Sequence, residues 1–141
     1  MSLFDPYLFF DGTCAEAMHF YEKALGGKLE MMMTQAEAPP SAGVPPGSPE
    51  RIMHASLALG ERRLMASDTM AGEKYEGMHG FAISLSYPSV DEAKKVFAAL
   101  SAGGKQTMPM GATFWVESFG MLTDRFGTAW MVSGGKPAQM G

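Results

Sequence analysis

Three histidines, one cysteine and a handful of isolated carboxylates are the side chains of this 141-residue sequence that could hold a metal or move a proton. His54 lies in Arg51–Leu59, where alternation sets Ile52, His54, Ser56 and Ala58 on one face and Met53, Ala55, Leu57 and Leu59 on the other. If the more apolar face packs on a helix, the imidazole looks out from the opposite face toward a ligand; a ring satisfied by a backbone carbonyl is the alternative. His79 follows a glycine-containing loop and is a second pocket candidate, or simply exposed. His19 sits on the flank of a helical pattern and reads as solvated. Glu117 is the only charge in Phe114-Trp115-Val116-Glu117-Ser118-Phe119, and alternation puts it beside Trp115 and Phe119. A carboxylate desolvated between aromatics has its pKa raised, as a general acid or base requires; an outward-facing strand residue is the competing reading. Asp68 ends a strand-like run, and Asp124 caps its own turn. Cys14 opens a helix, where the dipole could lower a thiol pKa, although a small inert helix residue is the simpler reading.

Other chemistries have no support. The sequence contains no P-loop, dinucleotide glycine fingerprint, HExxH or GxSxG. A single cysteine permits neither an internal disulfide nor a cysteine-based zinc site, and it suits a reducing cytoplasm. Fifteen acids against eleven bases, the bases scattered, leave no nucleic-acid footprint. No apolar run is long enough to span a membrane, and the first residues carry no secretory pattern. Fourteen methionines suit an irregular core or an adaptable pocket.

The elements that must position these residues come as a repeat at an offset of 76. Thr13-Cys14-Ala15-Glu16-Ala17 aligns with Ser89-Val90-Asp91-Glu92-Ala93, a capping box in each half. Ala17, Phe20, Tyr21 and Ala24 align with Ala93, Val96, Phe97 and Leu100, an apolar helical stripe in each half. Both helices run into Gly-Gly-Lys, at 26–28 and 103–105, the second after one more residue. The same offset sets Tyr7–Phe10 against Ile83–Ser86 as strands. Further strands are predicted at Leu29–Thr34, Arg51–Leu59 and Arg62–Asp68, the last two joined by a hairpin at Gly60-Glu61, and at Gln106–Met110, Phe114–Leu122 and Thr128–Val132. The plan is βαβββ twice, in one α+β domain of residues 1–141 with modules at about 1–70 and 71–141. One helix per sheet covers one face and leaves a concave face for binding. Residues 36–50 hold five of the nine prolines and are expected to form an extended, mobile loop without a sheet ladder; residues 134–141 read as an unpacked tail.

A duplicated βαβββ unit of this length resembles the vicinal oxygen chelate superfamily of glyoxalases, bleomycin and fosfomycin resistance proteins and extradiol dioxygenases. Pro6–Gly12, Glu16-Ala17 through Phe20-Tyr21 to Leu25-Gly26-Gly27, Met53-His54-Ala55 leading to Leu64–Asp68, and Phe119–Trp130 are similar to its PhnB-like branch. The resemblance implies a glyoxalase-like concave mixed sheet with helices on its outer face, a homodimer and a small-molecule ligand. It also implies a divalent metal held from the first, fourth, fifth and eighth strands. Here Asp5 is the only possible ligand near the first strand, and Trp130, Met131 and Val132 offer none on the last, so the usual four-ligand site cannot be assembled. The expectation is a metal-free, cofactor-free binding protein whose cleft draws on His54, Met65, Asp68, His79, Trp115, Glu117, Phe119 and Trp130. The alternative is a lyase, isomerase or dioxygenase with Zn, Ni, Mn or Fe in a displaced site. A methyltransferase would require a doubly wound chain with more helices.

Overall fold

The computed structural model describes residues 3–39, 49–70 and 72–137. The elements run β1 (Tyr7–Phe10), α1 (Cys14–Leu25), β2 (Lys28–Thr34), β3 (Ile52–Leu59), β4 (Arg62–Asp68), β5 (Ile83–Tyr87), α2 (Val90–Ser101), β6 (Lys105–Gly111), β7 (Val116–Thr123) and β8 (Ala129–Pro137). They divide into two compact units, Met1–Gly77 and Met78–Gly141. Each unit holds one four-stranded mixed sheet, in the order β1-β4-β3-β2 or β5-β8-β7-β6, with one parallel pair and two antiparallel ones. The βαβββ plan therefore occurs twice, as the repeat predicts. No helix among the described residues is long and apolar enough to cross a membrane.

In unit 1, α1 packs on β2, β3 and β4. Leu8, Phe10, Ala55, Leu57, Leu64 and Ala66 are buried on the side it covers, while Tyr7 and Phe9 on the other side are 38% and 55% exposed. The helix turns Cys14, Ala17, Met18 and Tyr21 inward. That i, i+3, i+4, i+7 stripe starts one turn earlier than the sequence pattern indicates, because Cys14 is fully buried and Phe20 and Ala24 are only half-buried. In unit 2 the buried face of α2 is Ala93, Val96, Phe97 and Leu100, as expected.

The two helix starts are built differently. Ser89 accepts from the Glu92 amide at 3.3 Å, the local cap that the sequence predicts. Thr13 makes no side-chain cap bond. The carboxylate of Asp68, reaching over from the end of β4, accepts instead from Gly12 N–H at 2.8 Å and Cys14 N–H at 3.0 Å, and its other oxygen takes Ile52 N–H at 2.9 Å. This arrangement needs an extra residue: three residues separate β1 from α1, and two separate β5 from α2. The helices thus repeat at 76 while the first two strands of each unit repeat at 77, so Leu8 and Phe10 correspond to Leu85 and Tyr87 rather than to Ser84 and Ser86. Both helices have twelve residues, and Ala102 belongs to the turn that follows α2, not to a longer helix.

Two backbone bonds tie the flanks of the proline-rich stretch beyond the end of β2: Gln35 N–H donates to Arg51 O at 2.7 Å and Ala36 N–H to Pro49 O at 3.0 Å. The rest of the proline-rich stretch, residues 40–48, lies outside the described residues. Residues 134–137 are not a tail but the end of β8, with Val116 opposite Pro137 and Ser118 opposite Gly134; residues 138–141 again lie outside the described residues.

Candidate functional site

In each unit the sheet face that turns away from the helix is where side chains remain available. Across unit 1, register places Met31, Ser56, Met65 and Tyr7 in one row. Met33 faces His54 in the next row, and Phe9 pairs with Ser67 beyond it. Tyr7 and Phe9 are tilted against each other at 5.2 Å, and Tyr7 stacks on His54 at 5.7 Å. The Tyr7 hydroxyl lies 3.0 Å from His54 Nδ1. His54 and Met65 therefore stand together on an open face, in company with Tyr7 and Phe9. The alternation of Tyr7-Leu8-Phe9-Phe10 carried that signal, since Leu8 and Phe10 must take the core side.

Across unit 2 the corresponding row is Met108, Met121, Met131 and Ser84, and the next is Gly111, Phe119, Ser133 and Ser86. Trp115 sits edge-on to Phe119 at 5.2 Å and to Phe114 at 4.8 Å. The strand expected from Phe114 begins only at Val116; Phe114 and Trp115 lie on a turn in which Thr113 Oγ1 accepts from Val116 N–H at 3.2 Å. The turn leaves Trp115 38% exposed against a nearly buried Phe119.

Other expected lining residues are placed elsewhere. Trp130 is 1% exposed in the core of unit 2, where its indole N–H donates to Asp124 Oδ2 at 2.8 Å. Asp124 also closes its own turn through the amides of Phe126 and Thr128. Asp68 is buried, with its oxygens committed to three amides. Glu117 is not held between aromatics, because a register shift between Val116 and Ser118 breaks the alternation. Its exposed carboxylate lies over Gly135 and accepts from Lys136 N–H at 2.7 Å. His79 is exposed and belongs to unit 2, whereas His54 belongs to unit 1.

The donor set does not fit the divalent centre that the resemblance implies. On the open faces, β1 and β4 present Tyr7, Phe9, Met65 and Ser67, and β5 and β8 present Ser84, Ser86, Met131 and Ser133, with no imidazole or carboxylate among them. Asp5 is engaged by Arg62 Nε and Arg63 N–H, each at 3.1 Å. Among the described residues no three His, Cys, Asp or Glu side chains form a group that could hold a metal ion.

Cys14 is not an activated thiol. Burial first, and the nearby Asp68 charge second, push its pKa up to about 12. The folded state then keeps its thiol proton while the unfolded chain loses it, so this group's contribution to stability falls as pH rises through about 9. Urea midpoints measured from pH 8 to 10 are expected to decline less in Cys14→Ala than in the parent, and iodoacetamide should label Cys14 only on unfolding.

Two tandem βαβββ units with open mixed sheets, each with one face under a helix and the other lined by aromatic and thioether groups, define a fold of the glyoxalase type. The chain matches the family described as the Glyoxalase/Bleomycin resistance protein/Dioxygenase superfamily over residues 3–132, and it belongs to that superfamily. Protein YjdN of Escherichia coli (strain K12) is 36% identical over 136 residues, spanning 91% of this chain and 92% of its own. The crystal structure of protein PA1353 from Pseudomonas aeruginosa is similar with a TM-score of 0.89 and 46% identity, covering 96% of this chain and 98% of that one. The PhnB protein from Bacillus cereus shares the fold, with a TM-score of 0.77 at 22% identity over 94% of this chain and 99% of its own.

Proposed function

We propose that the protein binds small, flat, largely apolar molecules against the Phe114–Trp115–Phe119 cluster of unit 2. One observation carries the reading: Trp115 is held edge-on between two other rings yet is still 38% exposed. Such a preset aromatic wall adds contact area for a ligand without the cost of ordering a flexible side chain. Membership of a superfamily whose description includes bleomycin resistance proteins supports a ligand-holding role. The reading places the protein in the cytoplasm as a homodimer; light scattering that gives a monomer at micromolar concentration would remove the dimer from it.

The chain has two tryptophans and Trp130 is buried, so a change in accessible tryptophan emission reports on Trp115. Compounds that raise the melting temperature in a metabolite screen are expected to shift that emission. They should bind about tenfold more weakly to Trp115→Ala, about 1.4 kcal/mol. Hits whose affinity is unchanged in Trp115→Ala and Phe119→Ala would end the proposal. Near-stoichiometric Zn, Ni, Mn or Fe in protein purified without chelator, lost in His54→Ala or His79→Ala, would favour a metal-dependent lyase, isomerase or dioxygenase instead.

A further inference from the structure

The open face of unit 1 concentrates soft donors in a way that the aromatic site of unit 2 does not explain. Met31, Met32 and Met33 pair with Ser56, Ala55 and His54 in continuous antiparallel register. Met31 and Met33 therefore share the face of His54, while Met32 turns to the helix side. Facing residues of neighbouring strands have Cβ atoms about 4.5–5.5 Å apart, within easy reach for a flexible thioether and an imidazole. Met65, one row along on β4, approaches His54 diagonally from the other flank. Met31 is 45% exposed, and Met33, His54 and Met65 are half-buried.

From this placement we propose that His54, Met31 and Met33, with Met65 alongside, form a binding site for a soft monovalent cation, Cu(I) or Ag(I). Neutral, polarizable thioethers are poor ligands for hard divalent ions and good ones for these d¹⁰ ions. Tyr7 gives the His54 ring an outer partner at Nδ1. When Nδ1–H donates to the Tyr7 oxygen 3.0 Å away, the Nε2 lone pair is left for a metal, the arrangement by which an outer partner orients a ligating histidine. Met1–Gly77 carries eleven Asp and Glu against six Lys and Arg, a formal charge of −5 that attracts a cation at long range. Unit 2 supplies an internal contrast: its equivalent row is also rich in methionine, but Phe119 and Gly111 stand where unit 1 has His54 and Met33. The one thiol is no competitor, since Cys14 is fully buried and its raised pKa keeps it protonated.

The test is titration of the full chain with Ag(I) in chloride-free buffer, followed by calorimetry and by NMR of the methionine methyl groups. One equivalent should bind and shift the Met31, Met33 and Met65 methyls in the parent and in Cys14→Ala alike. His54→Ala and, separately, Met33→Leu should each weaken binding by about tenfold or more. Met33→Leu conserves volume on an open face, so it keeps the test valid if the His54 variant folds poorly. Loss of binding in Cys14→Ala, an unchanged affinity in Met33→Leu, or an equal response of the same methyls to Zn(II) would overturn the proposal. Trp115→Ala should leave Ag(I) affinity unchanged, which separates failure here from failure of the aromatic site.

Discussion

Asp68→Ala is expected to lower the unfolding free energy by about 3 kcal/mol, because it leaves the buried amides of Cys14 and Ile52, and the part-buried one of Gly12, without their shared acceptor. The carboxylate ties the β1–α1 junction and the first residue of β3 to the last residue of β4, so its loss loosens three elements together. Asp68→Asn, which keeps one oxygen for Gly12 and Cys14, should cost about half as much. The helix caps set the scale: Ser89→Ala should cost about 1 kcal/mol, and Thr13→Ala, at a position with no cap bond, less than about 0.5 kcal/mol. Urea unfolding followed by circular dichroism measures all four. An Asp68→Ala midpoint no lower than that of Ser89→Ala would show that the amides find other partners.

The second large effect is steric. A Cβ at Gly134 would lie 2.5 Å from Ala93 Cβ and 2.9 Å from Ser89 O, at the point where β8 meets the first turn of α2. Gly134→Val is expected to destabilise unit 2 by about 3 kcal/mol through the displaced helix. The signature should be an earlier transition in the emission of the buried Trp130 than in the parent. Gly26→Ala is the control: its φ is +74° with nothing within 4 Å, so only the left-handed conformation is strained, at about 1 kcal/mol. If the two variants cost the same, the approach of helix and strand is looser than the geometry indicates.

Gly134 also shows why part of the fold was hidden in the sequence. Ser133-Gly134-Gly135-Lys136-Pro137 carries the glycine and proline punctuation of a chain end, yet the glycines are there for contact. One admits α2, and the other takes φ +87° beneath Glu117. Periodicity reports which face of an element is apolar, but not that two backbones must touch. The same limit explains the missed cap. Thr13-x-x-Glu16 has the form of a capping box, while the group that caps α1 comes from Asp68, more than fifty residues away. The tandem βαβββ plan and the face of α2 were legible because each rests on local spacing.

Legibility of the site was similarly divided. The alternation in Arg51–Leu59 placed His54 on the open face of its strand, and Trp115 and Phe119 do meet. Trp130 was misplaced because an aromatic on a strand reads alike on either face until its pairing with Leu122 and Ile83 puts it under the helix. For Glu117 the outward-facing alternative is the one the structure shows, beside a register shift that carries no sequence mark. Tyr7 went unremarked because its partner, His54, lies 47 residues away.

The unlike caps of the two helices also impose an order of events on a chain that emerges from its N-terminus. The hydroxyl that closes the start of α2 serves an amide three residues ahead, so that cap is complete once residue 92 is free to fold. The carboxylate that closes the start of α1 comes 56 residues after Gly12 and 54 after Cys14. During synthesis the first turn of the earlier helix therefore lacks its cap until β4 has been made and paired, whereas the later helix has its cap within its own first turn. Of two modules with one plan, the first made is the one whose helix is finished only through a long-range contact.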